Sequence, residues 1–132
     1  MKTLKLLFAF FMVVFLINGC AYNFIIPEEV PDAIDPDDPN APQISFAAEI
    51  ETIFNNNNKC TACHDGGQNP NLTTDNAFAS INSTRYINST NPEESKIYGW
   101  AHPDTDSHKQ LKYTAAEAAK VLLWIGQGAK EN

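Results

Sequence analysis

The densest group of reactive side chains in this 132-residue chain is Cys60-Thr-Ala-Cys63-His64. Two thiols three positions apart, followed at once by an imidazole, are compatible with four chemistries: a disulfide, half of a zinc site, a thioredoxin-like redox pair, or attachment of a c-type haem. A zinc site would want further thiolates or a closely spaced histidine pair. The only other cysteine is Cys20, in an apolar N-terminal segment.

Haem attachment accounts for all three side chains. A thioredoxin-like pair would want a βαβ pattern, which the sequence lacks, and a disulfide leaves His64 unexplained. In the C-x-x-C-H pattern both thiols add to the vinyl groups of one porphyrin, and the next residue brings its imidazole under the iron. We therefore predict one covalent haem c, with Cys60 and Cys63 as thioether attachments and His64 as the proximal axial ligand.

A second axial ligand is usually methionine or histidine. The two methionines of the chain are Met1 and Met12, both in the segment predicted below to be an export signal. Methionine ligation from the mature chain is therefore excluded. The two other histidines, His102 and His108, are the candidates, and the residues alone leave both open.

The first nineteen residues are typical of an export signal. Lys2 and Lys5 precede an unbroken apolar run of twelve residues, 6–17. This run is too short to cross about 30 Å of hydrocarbon as a helix. We therefore predict a secretory signal peptide over residues 1–19.

The end of this signal, Ile17-Asn18-Gly19-Cys20, resembles the lipobox of bacterial lipoproteins. The resemblance implies that Cys20 is lipidated and anchors the mature chain to a membrane. Ala21, at a position where inner-membrane lipoproteins often have aspartate, favours the outer membrane over the inner. The expected location is the bacterial cell envelope.

Residues 20–42 are expected to form an extended tether. Positions 27–42 hold six acidic residues, no basic residue and five prolines, so they cannot bury enough apolar surface to fold alone. From Gln43 onward the chain has ten acidic and seven basic residues, and no basic stripe that would suit nucleic acid. The predicted domain is residues 43–132.

The pattern of this domain predicts an all-α fold. Ser45 can cap a first helix, whose apolar positions are Phe46, Ile50, Ile53 and Phe54. Short helices are expected near residues 75–81 and 92–98. Thr114 and Glu117 form a capping box for a last helix, on which a flat alanine stripe predicts the close approach of another helix. The first helix, with Ala47 and Ala48 near its start, is the obvious candidate. Trp124 is expected at the edge of the core or against the haem.

Four segments together resemble class I cytochromes c, and more narrowly the planctomycete-type single-haem cytochromes of bacterial lipoproteins. They are "ISFAAEIETIF", "CTACHDGG", "NPEESKIY" and "YTAAEAAKVLLWIGQGAKEN". The resemblance implies a small helical domain wrapped around one covalent haem. It also implies a sixth ligand about half a dozen residues before the cap Thr114, which favours His108, with His102 as second choice.

The resulting expectation is an electron carrier, not an enzyme: a membrane-tethered cytochrome that exchanges single electrons with a redox partner protein the sequence does not identify. Two alternatives stay open. One is a haem protein with an open sixth site that senses a gas or reduces peroxide. The other is a surface module without haem, held by a disulfide between Cys60 and Cys63.

Overall fold

The computed structural model describes residues 34–108, 110 and 112–132, and this part of the chain is helical with no β-strand. Its elements are, in chain order, a π-helical turn Phe46–Ile50, α1 (Glu51–Asn55), a 3-10 turn Asn56–Asn58, α2 (Ala77–Ile81), a 3-10 turn Pro92–Glu94, α3 (Lys96–Gly99) and α4 (Ala115–Gly126). The all-α prediction is confirmed for these residues.

Ser45 starts the first helix, as predicted. Its hydroxyl accepts a hydrogen bond from the Ala48 amide at 3.2 Å, which satisfies a donor that has no partner inside the helix. The π-helical turn runs directly into α1, and together they bury the four predicted apolar side chains, Phe46, Ile50, Ile53 and Phe54.

The asparagine run ends this helix and turns the chain. Asn57 and Asn58 have φ angles of 51° and 56°, in the left-handed region that asparagine tolerates better than most residues. After the turn, the Cys60 amide donates to the Phe54 carbonyl at 3.0 Å. The asparagines therefore place Cys60 against the end of α1.

The capping box of α4 is also present. The Thr114 hydroxyl accepts from the Glu117 amide at 3.2 Å, and the Glu117 carboxylate accepts from the Thr114 amide at 2.7 Å. The helix contributes five buried side chains, Ala118, Val121, Leu123, Trp124 and Ile125. Beyond it, Gly128 has a φ of 96°, which ends the helical path.

The expectation that Trp124 lies at the edge of the core is wrong. Trp124 is only 1 % exposed, with its ring 5.4 Å from that of Phe46 and its indole N–H donating to the Lys130 carbonyl at 3.0 Å. It is central because the chain after α4 folds back over it. The first helix packs against α4 as predicted, but through Phe46, so that Ala47 and Ala48 are exposed.

The chain after α4 returns to the start of the first helix. The Phe46 amide donates to Asn132 Oδ1 at 2.8 Å, and the Ala47 amide donates to the Asn132 carbonyl at 3.1 Å. The Ile44 amide donates to Gln127 Oε1 at 3.0 Å. These bonds satisfy amides at a helix start and hold the two ends of the domain together.

One hydrophobic core joins the helices. Its largest fully buried side chains are Trp124, Phe54, Ile50, Ile81, Ile125 and Val121. Full burial of an aliphatic or phenyl side chain of this size contributes about 1.5–3 kcal/mol. This core therefore fixes where the first helix and α4 lie, and with them the segments that carry the histidines.

The described part of the acidic tether is not extended. The Asp38 amide donates to the Asp35 carbonyl at 3.1 Å, and the Ala41 amide donates to the Asp38 carbonyl at 2.9 Å. Aspartate favours such turns because its carboxylate accepts from the amide two residues on, as Asp35 does from Asp37 at 2.9 Å. Pro36 lies close to Gly126, because a Cβ atom on residue 126 would come within 2.8 Å of the Pro36 ring.

The predicted signal peptide 1–19 and the predicted lipidation site Cys20 lie outside the described residues, so both stay predictions. Among the helices that the structure does describe, none has the length and apolar character needed to cross a membrane.

Candidate functional site

Residues 60–64 form one helical turn. The amides of Cys63 and His64 both donate to the Cys60 carbonyl, at 3.2 and 2.9 Å. Positions three and four residues apart share one face of such a turn. The turn therefore brings the two thiols and the imidazole of the C-x-x-C-H motif to the same side.

The two thiols have different surroundings. Cys60 is partly buried and packs against the core, whereas Cys63 is exposed, with its Sγ 3.9 Å from Gln110 Oε1. Burial raises the pKa of the Cys60 thiol to about 11, an effect that the nearby Lys59 ammonium opposes and the Glu117 carboxylate reinforces. Both cysteines are free thiols in this structure.

His64 is oriented through its Nδ1 atom. This nitrogen lies 3.0 Å from the Pro70 carbonyl, and the Leu72 amide donates to the His64 carbonyl at 2.8 Å. Because a carbonyl can only accept, the proton is on Nδ1, and the lone pair of Nε2 is available to a metal. Metal-binding histidines in proteins are commonly held in this way.

His108 lies next to His64. The ring centroids are 6.2 Å apart and the ring planes differ by 22°. His108 Nδ1 also bonds to a backbone carbonyl, that of Gln110, so the proton is again on Nδ1. The structure thus brings together two imidazoles that each have Nε2 available.

The two rings are nearly parallel, with a centroid separation of 6.2 Å. A metal ion that bound one nitrogen of each imidazole at about 2 Å from opposite sides would give a separation of roughly 6 Å. No group of three or more His, Cys, Asp or Glu side chains that could hold a metal ion occurs among the described residues. Haem iron is a metal that two protein side chains can hold, and His64 and His108 are the candidates for that role.

His102 is arranged differently. Its ring packs edge-on against Tyr98, with centroids 5.1 Å apart, and its Nδ1 accepts from the Asp104 amide at 3.3 Å. The nearest carboxylate oxygen of Asp104 is 3.7 Å from that nitrogen, too far for a hydrogen bond, so the amide sets the tautomer. The proton is then on Nε2, which is not free to bind a metal.

His102 and His108 belong to one loop, residues 101–113, which we call the histidine loop. The Tyr113 amide donates to the Ala101 carbonyl at 2.9 Å and closes its base. The Tyr113 ring is buried, and its hydroxyl donates to the Ile97 carbonyl at 2.9 Å. Burial raises the pKa of this phenol well above its ordinary value, so it stays protonated.

Sequence reasoning missed three groups that support this site. The Pro70 carbonyl orients His64, Tyr113 closes the histidine loop, and Lys59 forms an ion pair with the capping residue Glu117. That ion pair links the residue before Cys60 to the start of α4. The capping box identified Glu117, but its pairing with a lysine 58 positions away has no local signal.

A cavity of about 380 Å³ lies elsewhere, between the first helix and α2. Its walls include Phe46, Glu51, Asp75 and Phe78, and neither the C-x-x-C-H residues nor the histidines of the histidine loop. Burial and, to a smaller extent, repulsion from the Asp75 carboxylate raise the pKa of Glu51. This cavity is therefore separate from the histidine pair.

Comparisons with known protein families, curated proteins and solved structures gave no match to this chain. The functional assignment therefore rests on the residues and their geometry.

Proposed function

We propose that this chain is a c-type cytochrome that carries single electrons through one covalently attached haem, and that it acts at the bacterial cell envelope. The observation that carries the proposal is the pair His64 and His108, 6.2 Å apart, beside two free thiols in a C-x-x-C-H turn. The class I and planctomycete-type cytochrome architecture is part of this proposal.

In this assignment Cys60 and Cys63 hold the porphyrin through thioether bonds, and His64 and His108 are the two axial ligands. The haem supplies the exchange of one electron between ferric and ferrous iron. Both thiols are attached to a turn that is itself bonded to the end of α1, so the group would be held at a fixed place in the domain.

The residues of the chain tune this chemistry in two ways. The Pro70 and Gln110 carbonyls accept from Nδ1 of their histidines, which fixes ring orientation and makes the ligand nitrogen more basic. Two imidazole ligands lower the reduction potential relative to a methionine and histidine pair. We therefore expect a midpoint potential below that of a cytochrome with His/Met ligation.

The envelope location rests on the sequence of the first twenty residues. Lipidated Cys20 would tether the domain to a membrane, more favourably the outer one, and the redox partner would be a protein reached from that surface. Labelled palmitate incorporation into the full chain tests this part, with Cys20→Ala as the control that should lose the label.

The experiment that tests the haem assignment is expression with the c-type haem attachment machinery, followed by spectroscopy of the ferrous protein with and without carbon monoxide. A closed His64/His108 site predicts a low-spin spectrum and slow binding of carbon monoxide. Rapid binding would instead identify the open-site alternative, and a protein without haem would identify the disulfide module.

A further inference from the structure

The partly buried side chain of Lys112 spans the histidine loop and contacts backbone carbonyls on its opposite side. The Lys112 ammonium donates to the Pro103 carbonyl at 3.2 Å and also to the Thr105 carbonyl. Hydrogen bonds from a charged donor are about twice as strong as neutral ones. The Lys112 side chain thus connects the two halves of the histidine loop.

The contact between Lys112 and Thr105 joins two residues that lie on either side of His108 in the sequence. Thr105 is three residues before His108 and Lys112 is four residues after it. The ammonium therefore closes a short segment of backbone with His108 near its middle. Closing a segment reduces the number of conformations that it can adopt. His108 is therefore less free to move away from His64.

We propose that Lys112 is a positioning residue that keeps His108 beside His64, and that it thereby decides how far the sixth coordination position stays closed. The inference rests on the proposed function, since it makes Lys112 the residue that positions His108, the ligand proposed for that same site. Lys112 acts through the loop backbone and has no role in binding the haem itself.

The experiment measures how fast carbon monoxide binds to the ferrous holoprotein in rapid mixing, because binding at a closed site must wait for His108 to dissociate. Lys112→Met keeps the apolar stem and removes the donor, whereas Lys112→Arg keeps a charged donor. Lys130→Met removes an exposed ammonium after α4 and is the matched control. His108→Ala gives the rate of the fully open site.

We expect carbon monoxide to bind Lys112→Met about tenfold faster than wild type, because loss of a hydrogen bond of this class shifts an equilibrium by roughly that factor. Lys112→Arg should stay close to wild type, and so should Lys130→Met. Should Lys112→Met give no holoprotein, Lys112→Gln carries the same expectation, since it is shorter and uncharged.

The outcomes separate the two proposals. If His108→Ala binds rapidly while Lys112→Met binds at the wild-type rate, the positioning role is refuted and the ligand assignment stands. A drop in thermal stability of Lys112→Met without a change in binding rate likewise refutes it, because it shows a purely structural lysine. If wild type already binds as fast as His108→Ala, the proposed ligation is wrong, and the inference falls with it.

Discussion

The two histidine-bearing segments of this protein are built in different ways. The Cys60 to His64 turn is held by main-chain hydrogen bonds to its neighbours, the Cys60 amide to the Phe54 carbonyl at 3.0 Å and the Leu72 amide to the His64 carbonyl at 2.8 Å. The histidine loop is closed at its base by one main-chain bond and is crossed by the Lys112 side chain.

This difference bears on the proposed haem site. Cys60 packs against the core beside α1, so the Cys60 to His64 turn is fixed by the packing that folds the domain. The position of His108 depends on a loop whose contacts single substitutions can remove. An electron carrier and an open-site haem protein would therefore differ at the histidine loop, while sharing the same C-x-x-C-H turn.

The largest expected effect is at the two thiols of the C-x-x-C-H motif. Replacing both thiols, as in Cys60→Ser/Cys63→Ser, should abolish covalent haem attachment, because no other thiol is present in residues 43–132. The mass of the intact purified protein measures the result. Cys20→Ser is the matched control and should keep the haem mass, while haem mass in the double variant would contradict the attachment sites.

The next effect distinguishes the two histidines of the loop. His108→Ala should give rapid carbon monoxide binding and a changed ferrous spectrum, whereas His102→Ala should leave both close to wild type. The reason is that His102 Nδ1 accepts from Asp104 and leaves the proton on Nε2. The opposite ranking of the two variants would move the sixth ligand to His102.

A smaller effect compares the two thiols of the haem-free chain. Iodoacetamide should modify Cys63 about a hundredfold faster than Cys60 at pH 8, because the thiolate is the nucleophile and burial raises the pKa of Cys60 to about 11. The Cys60 rate should rise about tenfold per pH unit up to about pH 11, where half of the thiol is ionised, and level off above it. Mass spectrometry of the digested chain follows both sites, and equal rates at pH 8 would contradict the burial of Cys60.

The smallest effect concerns the base of the histidine loop. Tyr113→Phe leaves the Ile97 carbonyl without its buried donor and should lower the free energy of unfolding by about 1–3 kcal/mol. Denaturant unfolding of the holoprotein measures this loss. Tyr98→Phe, on a partly exposed ring, is the control. An equal loss in both variants would mean that the buried hydrogen bond of Tyr113 stabilises the fold no more than a partly exposed hydroxyl does.

Local signals predicted the helices well. Ser45, Thr114 and Glu117 act within a few residues of their own position, so a cap can be identified from neighbouring sequence alone. The end of the first helix in the asparagine run follows from the same kind of signal. These positions needed no knowledge of the tertiary path.

Apart from the turns at Asp35 and Asp38, which are local, the errors and omissions depend on that path. Trp124 is buried because the chain after α4 folds back over it, and Pro36 packs on Gly126. The C-x-x-C-H motif identified one half of the candidate site from spacing. That His108 lies 6.2 Å from His64 results from tertiary packing. The residues alone left His102 and His108 both open, and only the resemblance favoured His108.

The most direct test of the central claim is a pyridine haemochrome measurement on the purified full chain after acid–acetone extraction. We expect the spectrum of a haem bound through two thioether bonds, at one haem per polypeptide, remaining with the protein after extraction. A polypeptide without haem, or haem that the solvent removes completely, would contradict it.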